Sequence, residues 1–345
     1  MKKIPIAMVG LNWGDSIIRE HLLAGPASEL FALTAVCSKE KEKVDACARA
    51  YGVKPYHRLD DLLADEDVRA VCLMTGPFGR AALIRQIVGA GKHVMTTKPV
   101  EVDPDAALEV LNFAKSLGRV VHLNSPTPLP SPDIAQIQRW REELGLGRPV
   151  GVRADIWANY REPADGSWYD DPEKCPVAPI FRLGIYLIND LVRLIGKPET
   201  VSVMSSRLFT GRPTPDNAQL SLAFENGTLA NIYASFCVND AQWWLSSLTL
   251  NYENGTVYRN VGPAKNGSPR EHPELAVVVN QEGKSVTHTA IAGASTEDYQ
   301  WDAFHRAILG GRLEGEMEIE DIVAGLRVVR AMARAEKSGR IERIN

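Results

Sequence analysis

The chain lacks any long apolar run, any paired cysteines and any basic tract, and each absence removes a class of function. No stretch approaches the roughly 18 apolar residues of a membrane-spanning helix. Met1-Lys2-Lys3 does precede an apolar run, but Ile4–Val9 is only six residues long and ends at Gly10-Leu11-Asn12. A secretory signal needs a core of roughly 7–15 apolar residues and a small-residue cleavage site. The five cysteines (Cys37, Cys47, Cys72, Cys175, Cys237) are scattered and form no CxxC pair. Buried free thiols in a reducing cytoplasm are therefore expected, not a disulfide framework. The seven histidines never fall in HxxxH or HxH spacing, so no metal site is expected. Acids exceed bases by 43 to 39, a net charge of −4, and Lys and Arg nowhere interleave with aromatics. Neither nucleic acid nor a membrane is an expected partner.

What is present is alternation. At 345 residues the chain suits two domains. Short apolar runs at Ile4–Val9, Phe31–Cys37, Val68–Met74, His93–Thr96 and Val120–Leu123 are separated by helical patterns at Ser16–Ala24, Glu40–Tyr51, Arg80–Ala90 and Pro104–Leu117. Strands alternating with helices of about a dozen residues predict βαβ units and a doubly wound parallel sheet. Ser125–Pro132 carries four prolines in eight residues and reads as the domain linker, giving domains 1–125 and 126–345. Beyond it the helix Asp133–Glu143 leads into strands at Val150–Trp157, Thr200–Leu208, Gln219–Phe224, Thr228–Phe236, Ser246–Tyr252 and Thr256–Tyr258. Asn226-Gly227 and Asn254-Gly255 join two pairs of these as hairpins. The second domain is thus expected to be α/β with a large, open, mostly antiparallel sheet, closed by helices at Asp302–Leu309 and Glu320–Glu336.

A strand, a Gly-bearing turn and a helix at the N-terminus suggest a dinucleotide site. The usual spacing is GxGxxG; here Gly10-Leu11-Asn12-Trp13-Gly14-Asp15 matches only at Gly10, with Asn12 and Asp15 replacing the others and Gly14 off by one. A strand–helix turn with no phosphate is the plain alternative. At the end of the second strand, Ser38-Lys39 offers a hydroxyl and a cation where an NAD enzyme usually places a carboxylate, which favours NADP. The next residue, Glu40, keeps NAD open. The loop Gly166-Ser167-Trp168-Tyr169-Asp170-Asp171 suits sugar stacking through Trp168, or is simply a surface loop.

Ala90-Gly91-Lys92-His93-Val94-Met95-Thr96-Thr97-Lys98-Pro99 resembles the AGKHVxxEKP signature of the Gfo/Idh/MocA family, named for glucose–fructose oxidoreductase and inositol dehydrogenase. Thr75-Gly76-Pro77 stands where that family has a T-P-N turn, and Asp302–Arg312 resembles its closing helix. The resemblance implies a Rossmann dinucleotide-binding domain followed by a substrate and oligomerisation domain. It implies an NAD(P)-dependent oxidoreductase acting on a sugar, polyol, sugar acid or related secondary alcohol, and pairing into a homo-oligomer, a dimer or tetramer. Gly10, Asn12, Trp13, Ser38, Lys39, Thr75, Gly76, Pro77, Lys98 and Pro99 would bind the cofactor. Lys98 would lie near the nicotinamide and substrate, with Lys98-Pro99 in the cis form; its plain alternative is a surface lysine.

The family's second signature is DxGxHxxD. Here Arg182-Leu183-Gly184-Ile185-Tyr186-Leu187-Ile188-Asn189 keeps the glycine and puts Arg182, Tyr186 and Asn189 in place of the first Asp, the His and the last Asp. Tyr occupies the His place in some relatives, so Tyr186 would carry the proton, its phenol favoured as phenolate by a neighbouring ammonium. Helix packing is the alternative for Tyr186. Arg182 would hold an anionic substrate group, or pair with Asp190 or another acid. Asn189 would touch substrate or bond locally. Asn124 matches an Asn of relatives at the mouth of the cleft, but Ser125 and Pro126 replace the arginines that follow it there. The same scaffold also serves a galactose-pathway corepressor that senses dinucleotide without turnover, and glycosidase-type enzymes that retain NAD.

Overall fold

The computed structural model describes residues 3–240, 242–264, 270–293 and 298–345. The chain divides into two compact units, Met1–Leu129 with Tyr299–Ile319, and Pro130–Asp298 with Glu320–Asn345. Among the described residues no helix is long and apolar enough to cross a membrane.

The first unit runs β1 (Ile4–Val9), α1 (Gly14–Ile17), β2 (Phe31–Cys37), α2 (Lys41–Tyr51), β3 (Lys54–Tyr56), α3 (Leu59–Leu63), β4 (Ala70–Leu73), α4 (Arg80–Gly89), β5 (His93–Thr96), α5 (Pro104–Ser116) and β6 (Val121–Leu123). Its six strands pair in parallel in the order β3-β2-β1-β4-β5-β6. Every residue of β4 and β5 is buried, as a sheet covered on both faces requires. The order reverses between β1 and β4, and ligands of such sheets bind outside the strand ends at that point. Gly52, at φ +66°, ends α2 in the left-handed conformation that glycine adopts without strain.

The second unit contains α6 (Pro132–Glu143), β7 (Pro149–Ala158), α7 (Ile185–Ile195), β8 (Pro198–Ser206), β9 (Asn217–Phe224), β10 (Leu229–Ser235), β11 (Trp244–Tyr252), β12 (Gly255–Arg259), β13 (Glu274–Gln281) and β14 (Lys284–Ile291). With a short β15 (Glu342–Arg343) they form one sheet, β14-β13-β12-β11-β7-β10-β9-β8-β15, antiparallel except where β10 lies parallel to β7. From Val152 onward burial alternates in β7, Val152, Ala154, Ile156 and Ala158 facing the core and Arg153 facing out, while Val150, beside an irregularity in the pairing with β11, is exposed. A buried Arg259 binds Asp133 at 3.0 Å and Asp190 at 2.9 Å, tying β12 to α6 and α7.

The chain then returns. Helix α8 (Trp301–Ile308) packs Trp301, Phe304 and Ile308 into the core of the first unit, where Phe304 stacks on Phe31 at 5.5 Å. Residues 302–309, expected in the second domain, thus belong to the first unit, because apolar spacing marks a helix but not which core it joins. The last helix, α9 (Ile319–Ser338), belongs almost wholly to the second unit.

Candidate active site

The carboxyl edge of the parallel sheet gathers the residues singled out in the first unit. After β1, Gly10 turns at φ +88°, and a Cβ there would meet Met74 O at 2.6 Å. Only glycine fits. Asn12 and Trp13 follow, both exposed. Gly14 opens α1, where a Cβ would lie 2.8 Å from Met8 Sδ, so the close helix–strand contact falls at Gly14, one residue earlier than the usual spacing. That shift leaves room for Asp15, which accepts a bond from Tyr51 OH at 2.7 Å and pairs with Arg19 at 3.1 Å. Burial and the Asp15 bond push the Tyr51 phenol up to about 12. After β2, Ser38 accepts the Glu40 N–H at 3.3 Å, and Lys39 is exposed. Lys43 of α2, not flagged by the sequence, donates to the Asn12 side chain.

The loops after β4 and β5 are bound to each other. Lys98-Pro99 is cis, and Lys98 is half-buried. Asn124, just after β6, accepts the Lys98 N–H at 3.0 Å and the Thr97 hydroxyl at 3.2 Å, so it fixes the Lys98 backbone directly. Arg80 donates to the Thr97 carbonyl at 2.6 Å and to the carbonyls of Pro99 and Thr75. The buried Thr75 Oγ1 has no hydrogen-bond partner among the described residues. Tyr299, the first residue of the returning segment, contacts Met74 Sδ at 3.7 Å. Burial raises its phenol to about 12, against the pull of hydrogen bonds with Thr97 and Trp13. Arg80 was not singled out in the sequence; the signal that could have found it is a cation at the first position of a helix, against the dipole.

In the second unit a π-helical stretch, Ile180–Gly184, leads into α7 and carries Arg182. Its guanidinium lies 4.0 Å from the Tyr169 ring centre, 4.8 Å from Phe236 and 5.0 Å from Tyr160. It donates to both Glu162 oxygens, at 2.8 and 3.4 Å. Burial opposes the charge on Arg182, but the Glu162 bond and Tyr169 outweigh it and leave its pKa raised. Arg212 completes the clamp on this loop, bonding Asp165 at 3.1 Å, Asp170 at 2.5 Å and the Glu162 carbonyl at 3.1 Å. Trp168 packs on Tyr169 at 4.0 Å within the same loop. Tyr186 is 8% exposed and meets Trp244 edge-on at 5.8 Å. Asn189 points its amide oxygen at Gly325 of α9, into space that any side chain at 325 would fill. Arg182, Tyr160, Tyr169 and Trp168 are thus brought together, with Asn189 turned to the last helix.

Comparison with known proteins gives this arrangement a family. A family model described as the oxidoreductase family, NAD-binding Rossmann fold, matches residues 4–125, and the GFO/IDH/MocA C-terminal domain matches residues 134–258. The chain belongs to the Gfo/Idh/MocA oxidoreductase family. An uncharacterized oxidoreductase of Schizosaccharomyces pombe is 28% identical over 205 residues, 59% of this chain and 54% of that protein. The chain thus spans little more than half the length of that curated relative. 1,5-Anhydro-D-fructose reductase of Ensifer adhaerens is 23% identical over 334 residues, 94% of this chain and 96% of the relative. The solved structure of levoglucosan dehydrogenase with NADH and levoglucosan superposes with a TM-score of 0.79 at 15% identity, covering 100% of both chains. At that identity the likeness speaks for the fold.

Proposed function

We propose that this protein is an NADP-dependent oxidoreductase that interconverts an alcohol and a carbonyl on a sugar, polyol, sugar acid or related compound. The observation that carries the reading is the hold on Lys98 at the carboxyl edge of a doubly wound sheet, Asn124 accepting its N–H and Arg80 donating to the flanking carbonyls of Thr97 and Pro99. The edge fits a dinucleotide: a Gly10 turn with no room for a Cβ, exposed Asn12 and Trp13, and the orphan Thr75 Oγ1. Gly76, Pro77 and Pro99 complete the cofactor loops. Ser38 and Lys39, with Lys43 behind them, would take the ribose phosphate of NADP. When bound, the nicotinamide supplies or accepts the hydride. Lys98 positions and polarises the reacting oxygen, and Tyr186 gives or takes its proton. Trp168 offers a ring to the sugar, and the relative named 1,5-anhydro-D-fructose reductase supports a sugar-like substrate. Arg182 enters as the residue that sets the Tyr160–Tyr169 loop through Glu162, and Asn189 as its counterpart against Gly325. The free thiols support a cytoplasmic setting. The open sheet face, where Val150 is 56% and Leu229 62% exposed, supports pairing of two or four copies.

Tyr186→Phe separates an enzyme from a sensor. It removes one hydroxyl and keeps the ring on Trp244, so kcat should fall by about 10²–10⁴-fold while NADPH affinity stays within a few-fold. Full activity in a stable variant removes Tyr186 from the mechanism. A parent that binds NADPH firmly yet turns over no sugar, sugar acid or polyol is the dinucleotide sensor instead.

A further inference from the structure

Arg80 is 1% exposed, among the largest fully buried side chains of the protein. One guanidinium nitrogen donates to the carbonyls of Thr97 and Pro99, and another to that of Thr75. The two residues on either side of Lys98 are therefore held by one group, while Asn124 holds the Lys98 N–H. Burial lowers the guanidinium to about 10, and electrostatic interaction with Tyr299 and Glu101 works against that fall. Glu101 is itself fixed, accepting the N–H of Ala81 at 2.9 Å and of Val102 at 2.7 Å. A cation taken out of water costs several kcal/mol before its bonds are counted, so packing alone does not account for an arginine here. What distinguishes arginine is a flat, rigid fork of donors that can span two loops at once, which an ammonium cannot do.

We propose that Arg80 is a positioning residue for the reaction. It ties the carbonyls flanking Lys98 to the turn at Thr75, and so sets where the Lys98 ammonium stands. The inference rests on the reading of Lys98 as the polarising group and adds the residue that aims it. A misplacement of about 1 Å at a reacting group costs on the order of 10²-fold in rate.

The test compares the parent with Arg80→Met, which keeps the stem without the fork, and Arg80→Lys, which keeps the charge without the fork. Three quantities are read: kcat apart from KM, the NADPH dissociation constant, and the resonance of Lys98 after isotope-labelled reductive methylation, assigned by its absence in Lys98→Ala. Expected is a fall in kcat on the order of 10²-fold for both variants. KM and NADPH affinity should change far less, and the Lys98 resonance and its titration midpoint should move. An unchanged kcat in a folded variant overturns the proposal, as does a Lys98 resonance that stays in place. Should Arg80→Met fail to fold, Arg80→Lys decides by the same readings. If the parent turns nothing over but the Lys98 resonance moves in Arg80→Lys, the positioning stands and the enzymatic reading alone falls.

Discussion

Lys98 owes its place to its neighbours: one N–H held by Asn124 and two flanking carbonyls held by Arg80. The motif around Lys98 was readable in the sequence because its residues are contiguous. Arg80 and Asn124 were harder to assign, because they lie 18 residues before and 26 residues after Lys98 and meet it only once the strands pair. Cofactor choice also lives at this scale. With Lys39 exposed after β2, NADPH should stabilise the protein more than NADH; ligand at about 100 times its Kd adds roughly 2.7 kcal/mol. Lys39→Ala should erase that difference in melting temperature, and equal shifts in the parent would refute the assignment. His93 gives a second prediction. Burial first, then Arg119 and Arg69, lower its pKa to about 4, and its Nδ1 accepts the Val120 N–H at 3.1 Å. The unfolded chain binds a proton near pH 6.5 while the folded one does not. Stability should therefore fall as pH drops from about 6.5 toward 4, by as much as about 3 kcal/mol. Urea midpoints across that range should flatten in His93→Gln; the same slope in both proteins would show that His93 is not the source.

At the scale of elements, what the sequence revealed depended on how each strand is bounded. β1, β2 and β5 end where their apolar runs end, because each is buried and stops at a turn. The hairpins at Asn226-Gly227 and Asn254-Gly255 join β9 to β10 and β11 to β12 as expected. β13 and β14 were not anticipated, for their turn is Glu282-Gly283, with φ of +53° and +82°, and the asparagine that serves it, Asn280, is not adjacent to the glycine as in an Asn-Gly pair. β3 has only three residues, too few for a pattern. Helix α8 was visible as a helix and misplaced as to partner, since its ring contacts with Phe31 join positions far apart in the chain. Phe304→Ala should cost about 3–5 kcal/mol, in the range of a buried aromatic truncation. It should weaken NADPH binding as well, because the core it opens supports β1 and β2. A variant as stable as the parent would mean that α8 is not part of that core.

At the scale of the whole molecule, the two family matches together span most of the chain, and the class they define is an oxidoreductase. The doubly wound parallel sheet followed from the alternation of five short apolar runs with helices, without β3 and without the strand order, and the open antiparallel sheet from its hairpins. Less was legible in the second unit's chemistry: Glu162 and Arg212, which organise the loop around Arg182, carry no motif. The return of residues 299–319 to the first unit was hidden for the same reason that α8 was. The central claim is hydride transfer dependent on Lys98. Its most direct measurement is the absorbance of reduced nicotinamide during incubation of the parent and of Lys98→Ala with NADP and a panel of sugars, sugar acids and polyols. The account predicts turnover by the parent on at least one of these compounds, and its loss in Lys98→Ala with dinucleotide affinity kept within a few-fold. Turnover by Lys98→Ala at the parent rate would contradict it.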